Sequence, residues 1–152
     1  LGQAKVCQIK AALEIGRRLQ TEEQLQTSPV FKSSRDAALL LMPQMRDLPK
    51  EQMRVLFLDA SRQLIQTKIV EQGTVNFAQP ILREIFHQAI ECSAASLVLV
   101  HNHPSGEIKP SQEDKLFTQK ALKASEILQI RILDHIIIGR DRYFSFRDHK
   151  MM

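Results

Sequence analysis

The sequence predicts an α/β fold in which a mixed β-sheet is flanked by helices. Three observations carry that expectation. Helix-like and strand-like segments interleave along the chain in the order α, α, β, β, α, β, α, β, β. Two pairs of strand-like segments are joined by only a few residues, so hairpins occur and an all-parallel sheet is excluded. One run, "SLVLVH" at 96–101, has no polar residue between Ser96 and His101, which suits a strand covered on both faces.

Residues 3–20 read as an amphipathic helix. Val6, Ile9, Leu13 and Gly16 recur at helical spacing, and lysines and arginines take the other faces. "TEEQLQTSPVFKS" (21–33) breaks that pattern, because it is polar and Pro29 disfavours helix at Ser28. A boundary is placed there, dividing the chain into residues 1–27 and 28–152. Ser33, with Asp36 three residues on, is the N-cap of a helix running to about Gln44–Asp47 despite Pro43. "RVLFLDA" (54–60) is an apolar strand, and "QLIQTKIVEQG" (63–73) alternates as a half-buried strand does. "PILREIFHQAIEC" (80–92) is a helix with Pro80 at or near its first position and Ile81, Ile85, Ala89 and Cys92 on one face. After the buried strand at 96–101, a second long helix spans about Gln112 to Ile127. "IRILDHIIIG" (130–139) and "RYFSF" (142–146) close the chain as strands, with "GRDR" as their turn.

Of the 152 residues, 43% are hydrophobic and 25% charged, enough for a packed core and against disorder. No apolar run approaches the roughly 20 residues that span a bilayer, and no signal-peptide pattern opens the chain, so no membrane role is expected. Leu rather than Met stands at position 1, and a piece of a longer protein is expected. Cys7 and Cys92 lie far apart and in no CxxC pair; reduced thiols in a cytoplasmic protein are the expectation. The net charge of +4 is uneven: residues 1–20 set Lys5, Lys10, Arg17 and Arg18 against Glu14 alone. A surface for nucleic acid, if present, belongs to that segment, and weak DNA contact is expected there.

The chemistry concentrates in "HNHPSGEIKPSQED" (101–114). In an extended strand His101 and His103 point to one side and Asn102 to the other, so both imidazoles emerge together where the strand leaves the sheet. A seven-residue loop follows, with Gly106 free to take positive φ. Ser111 then opens a helix, and Asp114 at N3 completes a capping box with Asp in place of Glu. Capping alone accounts for that pair. The same geometry also brings a carboxylate to within one short loop of two imidazoles. Two His nitrogens and one carboxylate make three protein ligands with a fourth position open, the pattern of catalytic zinc. The competing reading is a turn in which the histidines only bond loop carbonyls. The two-His, one-carboxylate set also describes non-haem iron oxygenases, but there the pattern is H-x-D with a distant His. No phosphate-binding glycine motif and no PCxxC half of a nucleobase deaminase site is present.

This stretch fits H-x-H-x7-S-x-x-D, the signature of the JAB/MPN (JAMM) metalloproteases. "RVLFLDASRQLI", "EQGTVN", "LVLVHNHPSG" and "RILDHIIIG" resemble the bacterial RadC family over residues 28–148, and residues 1–20 resemble the end of its preceding helix-hairpin-helix segment. The resemblance implies a JAB/MPN fold, related to the cytidine deaminase-like fold. It implies zinc (Zn²⁺) held by His101, His103 and Asp114, with Ser111 beside the attacking water and the developing oxyanion. It also implies hydrolysis of a peptide or isopeptide-like amide, and a traditional association with DNA repair. The family's general base is a Glu just before a strand. Glu51 fits best, although Met53 stands where an aromatic residue is usual, and Glu71 is the competitor. Asn102 departs from the Ser or Thr usual in the protease branch, which leaves the substrate open. A homodimer is left open as well.

Other polar residues weigh less. His135, inside an apolar strand, reads first as a buried histidine satisfied by backbone and second as a partner that orients a ligand. Ser105 reads as a turn residue before a substrate contact. His87, near Glu84 and Glu91, reads as part of an exposed helix face, and His149 has no partner in sequence.

Overall fold

The structure is a computed structural model and describes residues 2–26, 29–72 and 79–152. Among the described residues the elements are α1 (Gln3–Gln26), α2 (Ser34–Met45), β1 (Gln52–Leu58), β2 (Leu64–Gln72), α3 (Gln79–Glu91), β3 (Ser96–Asn102), α4 (Gln112–Leu128), β4 (Arg131–Ile138) and β5 (Tyr143–Ser145). The order is the expected one. The five strands form one sheet, β2-β1-β3-β4-β5. β1 runs antiparallel to β2 and β3, β4 antiparallel to β5, and β3–β4 is the parallel pair that α4 connects. The sheet is therefore mixed.

Strand alternation sorts the core into two layers. Met53, Val55, Phe57, Leu97 and Leu99 pack with Ile85 and Ala89 of α3 and Phe117 and Ala121 of α4. Leu56, Leu58, Val98 and Val100 pack on the other side with Ala38, Leu41 and Met45 of α2. Every residue of β3 is buried, as a strand covered on both faces requires.

Some boundaries differ from the sequence reading, for local reasons. α1 continues six residues past Arg18–Gln20, because Glu, Gln and Leu are good helix formers whatever their polarity. Val6, Ile9 and Leu13 on that helix are exposed, and so are Lys5 and Lys10. β1 starts at Gln52, where pairing with Gln72 begins, and ends at Leu58, where Asp59 turns the chain. The Asp59 carboxylate accepts the N–H groups of Ser61 and Gln63, both at 2.8 Å. The expectations for Gly73 and for the side chain of Ile81 lie outside the described residues. No described helix is long and apolar enough to cross a membrane.

β4 carries a bulge. Leu97 pairs with Ile132 but Val98 with Asp134, so Leu133 is the extra residue. The bulge reverses the facing of everything after it. Asp134 turns toward α2, and His135 turns toward α3 and α4.

Asp134 is buried at the α2 side. Its Oδ1 accepts the N–H of His135 (2.7 Å) and of Arg147 (3.1 Å), and its Oδ2 lies 2.6 Å from Ser145 Oγ. Ser145 Oγ also lies 3.1 Å from Ser34 Oγ, and Ser34 in turn donates to Asp148. The Ser145 hydroxyl proton serves Asp134 while that carboxylate is ionised, and is freed for Ser34 when Asp134 is protonated and donates to Ser145 instead. Burial raises the Asp134 pKa, against the lowering effect of its hydrogen bonds. The folded chain then holds this proton at higher pH than the unfolded chain does. Stability therefore falls as pH rises from the ordinary aspartate value through the raised one. Asp134→Asn keeps the acceptor and supplies the donor. It is expected to exceed the parent in stability at pH 7, on the order of 1 kcal/mol, with the advantage shrinking toward pH 4. Guanidinium unfolding at both pH values checks this; an advantage that grows on acidification contradicts it.

Candidate metal centre

Three pieces of chain bring the site residues together. β3 ends with His101 and Asn102, and His103 follows with its N–H on Ile138 O at 3.0 Å. The loop turns at Gly106, whose φ is +83°. It lies so close to the β4–β5 turn that a Cβ on Gly139 would stand 2.6 Å from Gly106 O. The loop delivers the chain to α4, where Ser111 caps the helix. Asp114 donates its N–H to Ser111 Oγ (3.1 Å), while its Oδ2 accepts the Ser111 N–H (2.8 Å) and hydroxyl (2.7 Å). Glu51 enters from the residue before β1.

The result is a group of four side chains, Glu51, His101, His103 and Asp114, whose ligand atoms lie within 4.8 Å of one another. His101 Nε2 stands 3.1 Å from His103 Nε2, 3.2 Å from Asp114 Oδ1 and 3.9 Å from Glu51 Oε1. His103 Nε2 stands 3.5 Å from Asp114 Oδ2. His101 and Asp114 are fully buried, and His103 and Glu51 are partly exposed, so the group opens on one side.

Hydrogen bonds behind the imidazoles decide which nitrogens face inward. Thr118 Oγ1 lies 2.6 Å from Asp114 O, a carbonyl that can only accept, so the hydroxyl proton is spent there. Thr118 must then accept from His135 Nδ1, 2.7 Å away. His135 is neutral, its pKa held well below the usual value by burial first and by His101 second, so its Nε2 is a bare acceptor. His101 Nδ1, 2.9 Å from it, must donate. That turns His101 Nε2 into the group, where it faces His103 and Asp114. His103 is set more simply: its Nδ1 donates to Glu107 O at 2.9 Å, and its Nε2 also points inward, toward Asp114. Two inward-facing imidazole nitrogens and two carboxylates converge; a cation can displace the protons they share in the metal-free chain, and such a set suits a metal ion.

The charges respond accordingly. Burial raises the pKa of Asp114, but contacts with His101, His103 and Ser111 overcome it and hold the carboxyl well below the ordinary range. Burial lowers His103, but Asp114, the Glu107 carbonyl and Glu51 outweigh it and the net shift is upward. Glu51 is raised, chiefly by burial, with His101 and His103 pulling it partly back. A carboxylate with a raised pKa is a better base at neutral pH.

The structure thus gathers His101, His103, Asp114 and Glu51. Glu71 is not in the group; it pairs with Met53 across β1–β2. Ser111 borders the group, and its hydroxyl proton goes to Asp114, so a bond to a substrate oxyanion requires rotation of that side chain. Ser105 accepts the Glu107 N–H at 3.3 Å and is a turn residue. Asn102 faces away from the group, as alternation requires, and bonds the main chain of Lys50 and Gln52. Of the two readings weighed for His135, its contacts favour the second, a partner of His101. His135 bonds side chains, not backbone, because the bulge at Leu133 turns it toward His101. His149, without a partner in the sequence pattern, finds them in the fold: its Nδ1 lies 2.8 Å from Ser145 O and its ring stacks on Phe144 at 4.0 Å. Thr118 escaped the sequence reading altogether. Its signal was the spacing of four from Asp114, which puts both on one face of α4. His87 lies on an exposed helix face, 3.7 Å from Glu91.

Residues 31–151 match the family model described as RadC-like JAB domain. A UPF0758 protein of Methanosarcina mazei is 40% identical over 148 residues, 97% of this chain and 64% of the relative. One from Flavobacterium johnsoniae is 42% identical over 148 residues, again 97% and 64%. One from Chlorobaculum tepidum is 40% identical over 152 residues, 100% and 68%. The chain spans about two thirds of the length of these relatives, and their names state no activity.

Proposed function

Because this chain belongs to the family of RadC-like JAB domains, we propose that it is a zinc-dependent hydrolase of the JAMM type that acts on a peptide or isopeptide-like amide. The observation that carries the reading is the convergence of two carboxylates with two imidazole Nε2 atoms, turned inward by the bonds that their Nδ1 atoms make behind them. His101, His103 and Asp114 would hold the metal. Zinc bound there lowers the pKa of water toward about 7 and polarises a carbonyl. Glu51, on the open side, takes the proton of the attacking water and passes it to the leaving amine. Ser111 keeps Asp114 oriented and, on rotation, donates to the oxyanion. A cytoplasmic setting, weak DNA contact through residues 1–20 and a place among DNA repair proteins belong to the same proposal, supported by the free thiols, the exposed Lys5 and Lys10 and the family resemblance.

Metal analysis tests the reading. The purified parent, reconstituted and desalted, is expected to carry about one zinc per chain. His103→Ala is expected to carry far less under the same treatment. Equal metal in the two, or none in the parent, overturns the proposal.

A further inference from the structure

The pairing of β1 with β3 runs from Leu58↔Ser96 to Met53↔His101 and stops there. Glu51 lies two residues beyond that last pair, just outside β1. One residue past His101, Asn102 reaches across to the same stretch. Its Oδ1 accepts the Gln52 N–H at 2.9 Å, and its Nδ2 donates to the Lys50 carbonyl at 3.3 Å. The carboxamide stands in for a peptide group and carries the β1–β3 bonding one step further. The two main-chain groups it holds flank Glu51.

Facing makes this useful. His101 and His103 point to the α4 side of the sheet, and Asn102, between them and fully buried, points to the α2 side. One strand end thus offers two imidazoles on one face and anchors the segment of a third group from the other. Separating two ligands needs only a residue that tolerates extended backbone. Holding a donor and an acceptor two residues apart needs a planar group with both functions, which Asn has and Ser or Thr lacks at that reach.

We propose that Asn102 is a positioning residue, whose carboxamide clamps the main chain on both sides of Glu51 and so fixes the Glu51 carboxylate against the His101–His103–Asp114 group. This rests on the reading of that group as a metal centre with Glu51 as its base. Asn102 touches neither metal nor substrate and acts only through Glu51.

Cobalt(II), added alone to the full chain in place of zinc, provides a probe that needs no substrate. Its visible absorption is followed against pH in the parent, Asn102→Ala, Glu51→Gln and the double variant. Asn102→Ala is expected to bind cobalt within about tenfold of the parent. It is expected to move the pH midpoint in the same direction as Glu51→Gln, by roughly half a unit or more. The double variant is expected to move no further than Glu51→Gln alone, the signature of two residues acting as one unit. Faster exchange of the Gln52 amide should accompany the shift. Where Asn102→Ala does not fold, Asn102→Thr replaces it, being uncharged and at ease in a strand but too short to hold both groups. Additive shifts, or an unmoved midpoint, overturn the assignment of Asn102 and leave the metal reading standing. A parent that takes up no cobalt overturns both.

Discussion

Asp114→Ala is expected to lose metal binding and to destabilise the metal-free protein. The carboxylate touches everything that defines the site. Oδ1 lies 3.2 Å from His101, Oδ2 lies 3.5 Å from His103, and Oδ2 also takes both Ser111 donors. Alanine removes one of three metal-holding groups and half of the capping box at once. A single outer partner of a metal ligand is worth about 10–100-fold in affinity, and loss of a ligand exceeds that. Removing one member of a buried charged group adds a stability loss on the order of 3 kcal/mol at neutral pH. The pH dependence follows from the sign of the shift. Asp114 is held far below the ordinary aspartate value, so its contribution is complete above about 3.8 and is lost as pH falls through the depressed range. The stability gap between parent and variant is therefore wide at pH 7 and narrower at pH 3, which denaturant titrations of the metal-free proteins measure. His103 offers a second readout. Asp114 is the strongest of the groups that lift it against burial, so in the variant the imidazole titrates lower by NMR. A gap that widens in acid, or an unmoved His103, contradicts this account of the site.

The sequence carried the parts of this fold that depend on near neighbours. The H-x-H alternation, the turn at Gly106 and the Ser111–Asp114 box each need only a few residues, and the local chemistry decides them. The apolar run at 96–101 was legible because a strand buried on both faces shows no alternation to misread. Contacts between distant segments were harder to read. Asn102 meets Lys50 and Gln52 across about fifty residues, and nothing local announces that its amide substitutes for a peptide group. The β4 bulge is subtler. Read as a regular strand, "RILDHIII" puts His135 on the face of Leu133 and Asp134 on the face of Ile132. The extra residue exchanges those faces. A period-two pattern cannot reveal where its own phase slips. The continuation of α1 to Gln26 shows the opposite fault: a change in polarity was read as a change in backbone.

His135→Phe follows from that slip in phase and separates two roles for one buried histidine. Phenylalanine can keep the stacking on Phe146, where the rings now lie 4.8 Å apart and 12° from parallel. It cannot accept from His101 Nδ1–H or donate to Thr118 Oγ1. Two buried polar groups lose their partner, and a loss of about 1–3 kcal/mol is expected in thermal or denaturant unfolding. A histidine that served only to fill the core would show that loss and nothing more. A histidine that fixes the tautomer of a metal ligand shows a second effect. With no acceptor behind Nδ1, His101 no longer has a proton held on that side, and Nε2 is no longer reserved for the metal. Zinc affinity, measured by competition with a chromophoric chelator, should fall about 10–100-fold. Nitrogen-15 shifts of His101 in the metal-free protein should show less proton on Nδ1 than in the parent. Thr118→Val cuts the same chain one bond further away, leaving His135 Nδ1–H unpaired but able to tautomerise. Its effect on zinc affinity should have the same sign and a smaller size. Unchanged affinity in His135→Phe alongside lost stability would return His135 to the core and leave the orientation of His101 to Asp114 alone.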